Sequence, residues 1–152
     1  MRIAEPLLLA LTLLVGLSGA PARSEEADHV RHAMLDMFDK PEARLLVEPV
    51  VVRGEHAIAG WTQAEMGGRA LLRRHHDTWQ ITLCAGDALR EASTLIEAGI
   101  GPDEAKALAA GLAEAERRID PARLRQLARF EGILTIDPAA GHPPSGHHPA
   151  PR

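Results

Sequence analysis

Between residues 46 and 87, apolar and polar positions alternate in short runs interrupted by three breaks: Arg53-Gly54-Glu55, Met66-Gly67-Gly68 and His75-His76-Asp77. Runs of this length and punctuation read as strands joined by tight turns, spaced as a four-stranded antiparallel meander. In the second run Ala57, Ala59 and Trp61 alternate with His56, Ile58 and Gly60. In the fourth, Trp79, Ile81 and Leu83 alternate with Gln80, Thr82 and Cys84. A period of two places each trio on one face, so both tryptophans are expected on the buried side. The third run, residues 69–74, carries apolar residues in both phases and is expected to be partly covered on its second face as well. The run over residues 45–52 contains Pro49, which cannot donate to a ladder. It should be an edge strand or carry a bulge.

On either side the period changes to that of a helix. Residues 25–38 place Val30, Met34, Met37 and Phe38 on one face at 100° per residue, with Ser24 as candidate N-cap and Lys40-Pro41 closing the segment. Beyond Gly86, Asp87 reads as an N-cap before a stripe of Leu89, Ala92, Leu95 and Ile96. Gly101-Pro102 and Asp120-Pro121 each announce a further helix, because proline suits the first helical position. A short apolar run at residues 133–136 either adds a strand to the sheet edge or docks on it. The expected fold is α+β: an N-terminal helix, a four-stranded antiparallel meander and C-terminal helices packed on the sheet.

Both ends fall outside this pattern. Met1-Arg2, the uncharged run at residues 7–17 and the small residues through Ala20 and Ala22 have the three regions of a cleavable leader over residues 1–22. That run is too short to span a bilayer, which takes about twenty residues. The expected product is a single α+β domain over residues 23–136, exported and, in a bacterium, periplasmic. Residues 137–152 reduce almost entirely to Pro, Gly, Ala and His, which cannot build a core, and are expected to be a disordered tail. Of 152 residues, Lys and Arg number 17 and Asp and Glu 21, a formal net charge of −4, which argues against a nucleic-acid partner.

The candidate chemistry is imidazole and sulfur. His29 and His32 are neighbours on the polar face of the first helix with Asp36 one turn on, so two imidazoles and a carboxylate could share a metal ion. A solvated helix face looks the same. His75 and His76 fall on the predicted turn between the third and fourth strands, and His142, His147 and His148 lie in the tail, where a flexible chain lets imidazoles converge. Cys84 is the single cysteine, so no intrachain disulfide is possible. It reads either as a small sheet hydrophobe or as a thiolate ligand. No phosphate loop, nucleophile elbow, HExxH or paired-cysteine motif is present, and a non-enzymatic binding role is expected.

The run MFDKPEARLLVEPVVVRGEHAIAGWTQAEMGGRALLRRHHDTWQITLCAGDAL resembles the central block of a family of small exported proteobacterial proteins, the copper uptake system-associated proteins. Phe38, Pro41, Pro49, Gly54, Gly60, Trp61, Gly67, Gly68, Arg69, Trp79, Cys84, Gly86 and Asp87 are among the matching positions. The resemblance covers most of the chain between leader and tail and implies association with copper import, through copper itself or through a copper transporter or periplasmic copper chaperone. Imidazole, thioether and thiolate all suit copper, and copper(II) heads the divalent affinity order. Two other readings stand beside it. One is a metal-independent module that binds a partner protein or small ligand through its sheet face. The other is a hydrolase or isomerase on a cone-shaped sheet, which requires a pocket holding His56 or Cys84 beside a second ionisable group.

Overall fold

The computed structural model describes residues 20–137. The segment expected to be a leader, residues 1–22, lies outside the described residues apart from the helical backbone of residues 20–22, and so does the segment expected to be a tail, residues 137–152, apart from Asp137. Helix α1 (Ala20–Phe38) precedes strands β1 (Leu45–Arg53), β2 (His56–Gln63), β3 (Met66–His75) and β4 (Thr78–Ala85). A 3-10 turn at Asp87–Arg90 leads into α2 (Ala92–Glu97), α3 (Pro102–Glu116), α4 (Pro121–Leu127) and a last strand β5 (Ile133–Thr135). The sheet is antiparallel in the order β1-β2-β3-β4-β5. The α+β class is as expected, with five strands in place of four because residues 133–135 pair along β4. Among the described residues no helix is long and apolar enough to cross a membrane.

Both faces of the sheet are covered. Val30 and Met34 of α1 pack on Leu45, Val47, Ala57, Ala59, Ala70, Leu72, Trp79, Ile81 and Cys84 of the sheet. On the opposite face Val51, Ile58 and Leu71 pack against Leu89, Leu95, Leu108 and Leu112 of the C-terminal helices. This is why β3 is apolar in both phases: Leu71 and Leu72 are neighbours in sequence and belong to different cores.

Two irregularities set which residue faces where. In β1 the register jumps between Val47 and Val50, so of the two alternatives expected for Pro49, an edge strand or a bulge, both are present. Gly60 stands opposite; a Cβ there would come within 2.7 Å of the Glu48 carbonyl oxygen and 2.8 Å of Pro49 Cδ, so only glycine lets the bulge close on β2. In β4 a second shift pairs Leu71 with Leu83 and Leu72 with Ile81, leaving Thr82 as an extra residue. Strict alternation would put Leu83 with the tryptophans and Cys84 on the other face. The bulge reverses both: Cys84 joins Trp79 and Ile81 under α1, and Leu83 turns toward the C-terminal helices.

Helix ends follow their capping chemistry unevenly. Asp120 caps α4, its Oδ1 accepting from the backbone N–H of Ala122 at 2.8 Å and of Arg123 at 3.3 Å. Asp87 caps nothing. It opens the 3-10 turn and pairs with Arg69 at 3.1 Å. Helix α1 starts before Ser24, which therefore lies inside it.

Candidate functional site

Helix α1 packs chiefly on β1 and β4 and much less on the strands between them. Its N-terminal half is pinned by Glu26, whose carboxylate accepts from Arg74 Nη1 at 2.9 Å and from Trp79 Nε1 at 3.1 Å. The Arg74 guanidinium lies 5.2 Å from the centre of the Trp79 ring, within cation–π range. This clamp holds the polar face of α1 beside the tip of the β3–β4 hairpin.

An open groove results, lined by His29, His32, Ala33, Asp36 and Met37 from α1 and by Asp77, Thr78 and Trp79 from the hairpin. The structure therefore brings His29, His32 and Asp36 together, as their helical spacing requires, and adds two residues that sequence reasoning missed. Asp77 arrives from a turn some forty residues away, a proximity no local pattern carries. Met37, expected in the core, is 46% exposed in the last turn of α1. His32 Nδ1 lies 2.9 Å from the carbonyl oxygen of Asp28. A carbonyl only accepts, so in this contact Nδ1 carries the hydrogen and Nε2 is the nitrogen left to coordinate, the arrangement common to metal-binding histidines.

The donor set of the groove, two imidazoles, two carboxylates and a thioether, is chemically suited to copper. As placed, no three His, Cys, Asp or Glu side chains among the described residues form a group that could hold a metal ion. Convergence would take rotamer changes in His29, His32, Asp36 and Asp77, all exposed side chains.

The remaining candidates are dispersed. His75 and His76 stack edge to face at the hairpin tip with ring centres 4.4 Å apart, next to Asp77 in sequence but outside the groove lining. His142, His147 and His148 lie outside the described residues. Cys84 sits on the far side of the α1 interface, in the wall of a separate apolar cavity of about 160 Å³ between α1, the sheet and the β5 segment. Its wall includes Trp61 and Phe130, whose rings meet edge to face at 6.0 Å. Gly68 makes room for that pair: a Cβ there would stand 2.9 Å from Phe130 Cβ and 3.0 Å from the Trp61 ring. No lining residue other than Cys84 ionises, and His56 instead bonds Glu104 on α3 at 2.9 Å.

Burial pushes the Cys84 thiol up from 9.0 to about 12. Thiolate is the reactive form, so its population at pH 8 should fall roughly a thousandfold relative to an unperturbed thiol. Iodoacetamide at pH 8 is expected to leave native protein unmodified by mass spectrometry and to alkylate it fully in denaturant. Labelling of the native protein at the rate of a free thiol would refute the burial. The fold favours the neutral thiol, so this contribution to stability is complete below about pH 9 and is lost as the pH climbs toward about 12.

Comparison with protein-family models, curated proteins and solved structures finds no match for the chain.

Proposed function

We propose that the chain is an exported accessory protein of copper uptake that binds copper at the groove between α1 and the β3–β4 hairpin. The observation that carries this reading is the gathering of His29, His32, Asp36, Met37 and Asp77 around one groove, with the tautomer of His32 set by Asp28. The resemblance of the central block to copper uptake system-associated proteins supports it. In this reading Nε2 of His32 and a nitrogen of His29 supply the imidazole ligands, and a carboxylate of Asp36 or Asp77 neutralises charge. The Met37 thioether suits copper(I). An exposed site of this kind fits transfer to a copper transporter or periplasmic chaperone better than permanent storage.

Trp79 borders the groove and Trp61 does not, which gives the test its resolution. Copper(II) added to the chain ending at Asp137 should quench tryptophan emission. The quench should persist in Trp61→Phe and largely vanish in Trp79→Phe. His29→Ala and His32→Ala should each weaken copper binding by roughly tenfold or more, since even outer partners of metal ligands carry that much. Unchanged copper affinity in both histidine variants would refute the groove, and binding confined to the full-length chain would move the site to the tail.

A second reading, a metal-independent module that holds a small ligand or partner through its sheet face, is favoured by the separate apolar cavity beside Cys84.

A further inference from the structure

We infer that the cavity between α1 and the sheet is a binding site for a compact, neutral, apolar molecule of about the size of a single aromatic ring. The inference deepens the second reading above and is independent of the copper groove, whose residues it does not share.

The volume sets the size of the ligand. At about 160 Å³ the space is close to the ~150 Å³ at which an apolar cavity in a protein interior takes up benzene. Protein cores seldom leave a void of this size unfilled. The wall sets the polarity. Met34, Phe38, Trp61, Cys84 and Phe130 present rings, a thioether and a thiol that burial keeps neutral at ordinary pH.

The polar groups nearby are spoken for or sealed. Gln63 donates its amide hydrogens to the carbonyls of Phe38 at 2.7 Å and Ala43 at 2.8 Å. The Trp61 indole N–H is buried out of reach of solvent and has no acceptor. Water entering such a space finds few of the two to four partners it needs, so an apolar molecule gains by occupying it. A charged one does not, because nothing in the wall compensates its lost hydration. The soft sulfurs of Met34 and Cys84 add favourable edge contacts to an aromatic occupant.

Leu134 on β5 is the most exposed of the lining residues and marks the entrance, while Met34 and Cys84 lie at depth. Entry therefore runs past the short outermost strand, whose three residues are all exposed.

The two tryptophans again separate the sites. Toluene titrated into the full chain, with a chelator present throughout, should shift the indole N–H resonance of Trp61 saturably. The Trp79 resonance, anchored on Glu26, should stay in place. Benzoate, the same ring with a charge, should bind roughly tenfold or more weakly, a difference of ~1.4 kcal/mol or above. Leu134→Phe, which fills the entrance, should weaken the toluene response by a similar factor with an unchanged melting temperature. In the unaltered protein, nuclear Overhauser effects should link toluene ring protons to the Met34 methyl group, which locates the ligand even if the variant folds poorly. Absence of a saturable Trp61 response, benzoate binding as well as toluene, or contacts that bypass Met34 would each overturn the proposal. None of these outcomes touches the copper titration, so failure of the cavity and failure of the groove are read separately.

Discussion

Truncating Leu71 or Leu72 to alanine is expected to lower the unfolding free energy by about 2–5 kcal/mol in each case, although the two are adjacent on one strand. Leu72 is fully buried among Trp79, Ile81 and the α1 residues, and Leu71 is 2% exposed against Leu89, Leu108 and Leu112. In a sheet with one wet face, one of two consecutive positions would be nearly silent. Here each side chain fills a different core, and each deletion leaves a void that its neighbours cannot all move to close. Since the two share no core cluster, the double variant should lose about the sum, to within ~0.5 kcal/mol. Chemical denaturation followed by circular dichroism measures all three. A cost below about 1 kcal/mol at either position would mean that its face is not packed as described.

The meander was legible because its information is local. Turn residues, β-branched runs and period-two alternation all lie within a few residues of each other, as do the Asp120 cap and the Pro102 start of α3. Pro49, through its missing N–H, announced an edge or a bulge, and β1 has both. The bulge at Thr82 had no such marker. Threonine fits a regular strand as readily as a bulge, so alternation carried through it and assigned Leu83 and Cys84 to the wrong faces. The cavity depended on that one residue, because Cys84 reaches its wall only once the phase has flipped. The groove was half legible for a related reason: His29, His32 and Asp36 share a helix face, whereas Asp77 meets them only through the Glu26 clamp on Arg74 and Trp79. Asp87 reads as a cap from its place before a helical stripe, yet its partner is Arg69, 18 positions earlier.

Breaking the pair formed by Arg69 and Glu116 is expected to cost about 3–5 kcal/mol whichever partner is removed. The side chains are 1% and 4% exposed, and Arg69 Nε meets Glu116 Oε1 at 2.6 Å. Arg69 Nη1 also reaches Asp87 Oδ1 at 3.1 Å and the Leu127 carbonyl at 3.3 Å, and Arg90 Nε stands 3.2 Å from Glu116 Oε2. One guanidinium on β3 thus fastens the 3-10 turn, the end of α3 and the end of α4 to the sheet. Arg69→Ala leaves a buried carboxylate with only the half-exposed Arg90, and Glu116→Ala leaves a buried guanidinium with only the exposed Asp87 and a carbonyl. In either case a desolvated charge loses its main partner, and that penalty exceeds what the intact pair contributes. Arg69→Lys should recover part of the loss, since an ammonium keeps the charge but cannot span three acceptors in a plane. The double variant Arg69→Met with Glu116→Leu should cost well under the sum of the single losses, because neither charge of the pair is then left buried without the other. Denaturation midpoints of the four variants decide the matter: additive losses in the double variant would mean that the two residues stabilise the helices separately and that the contact between them is incidental.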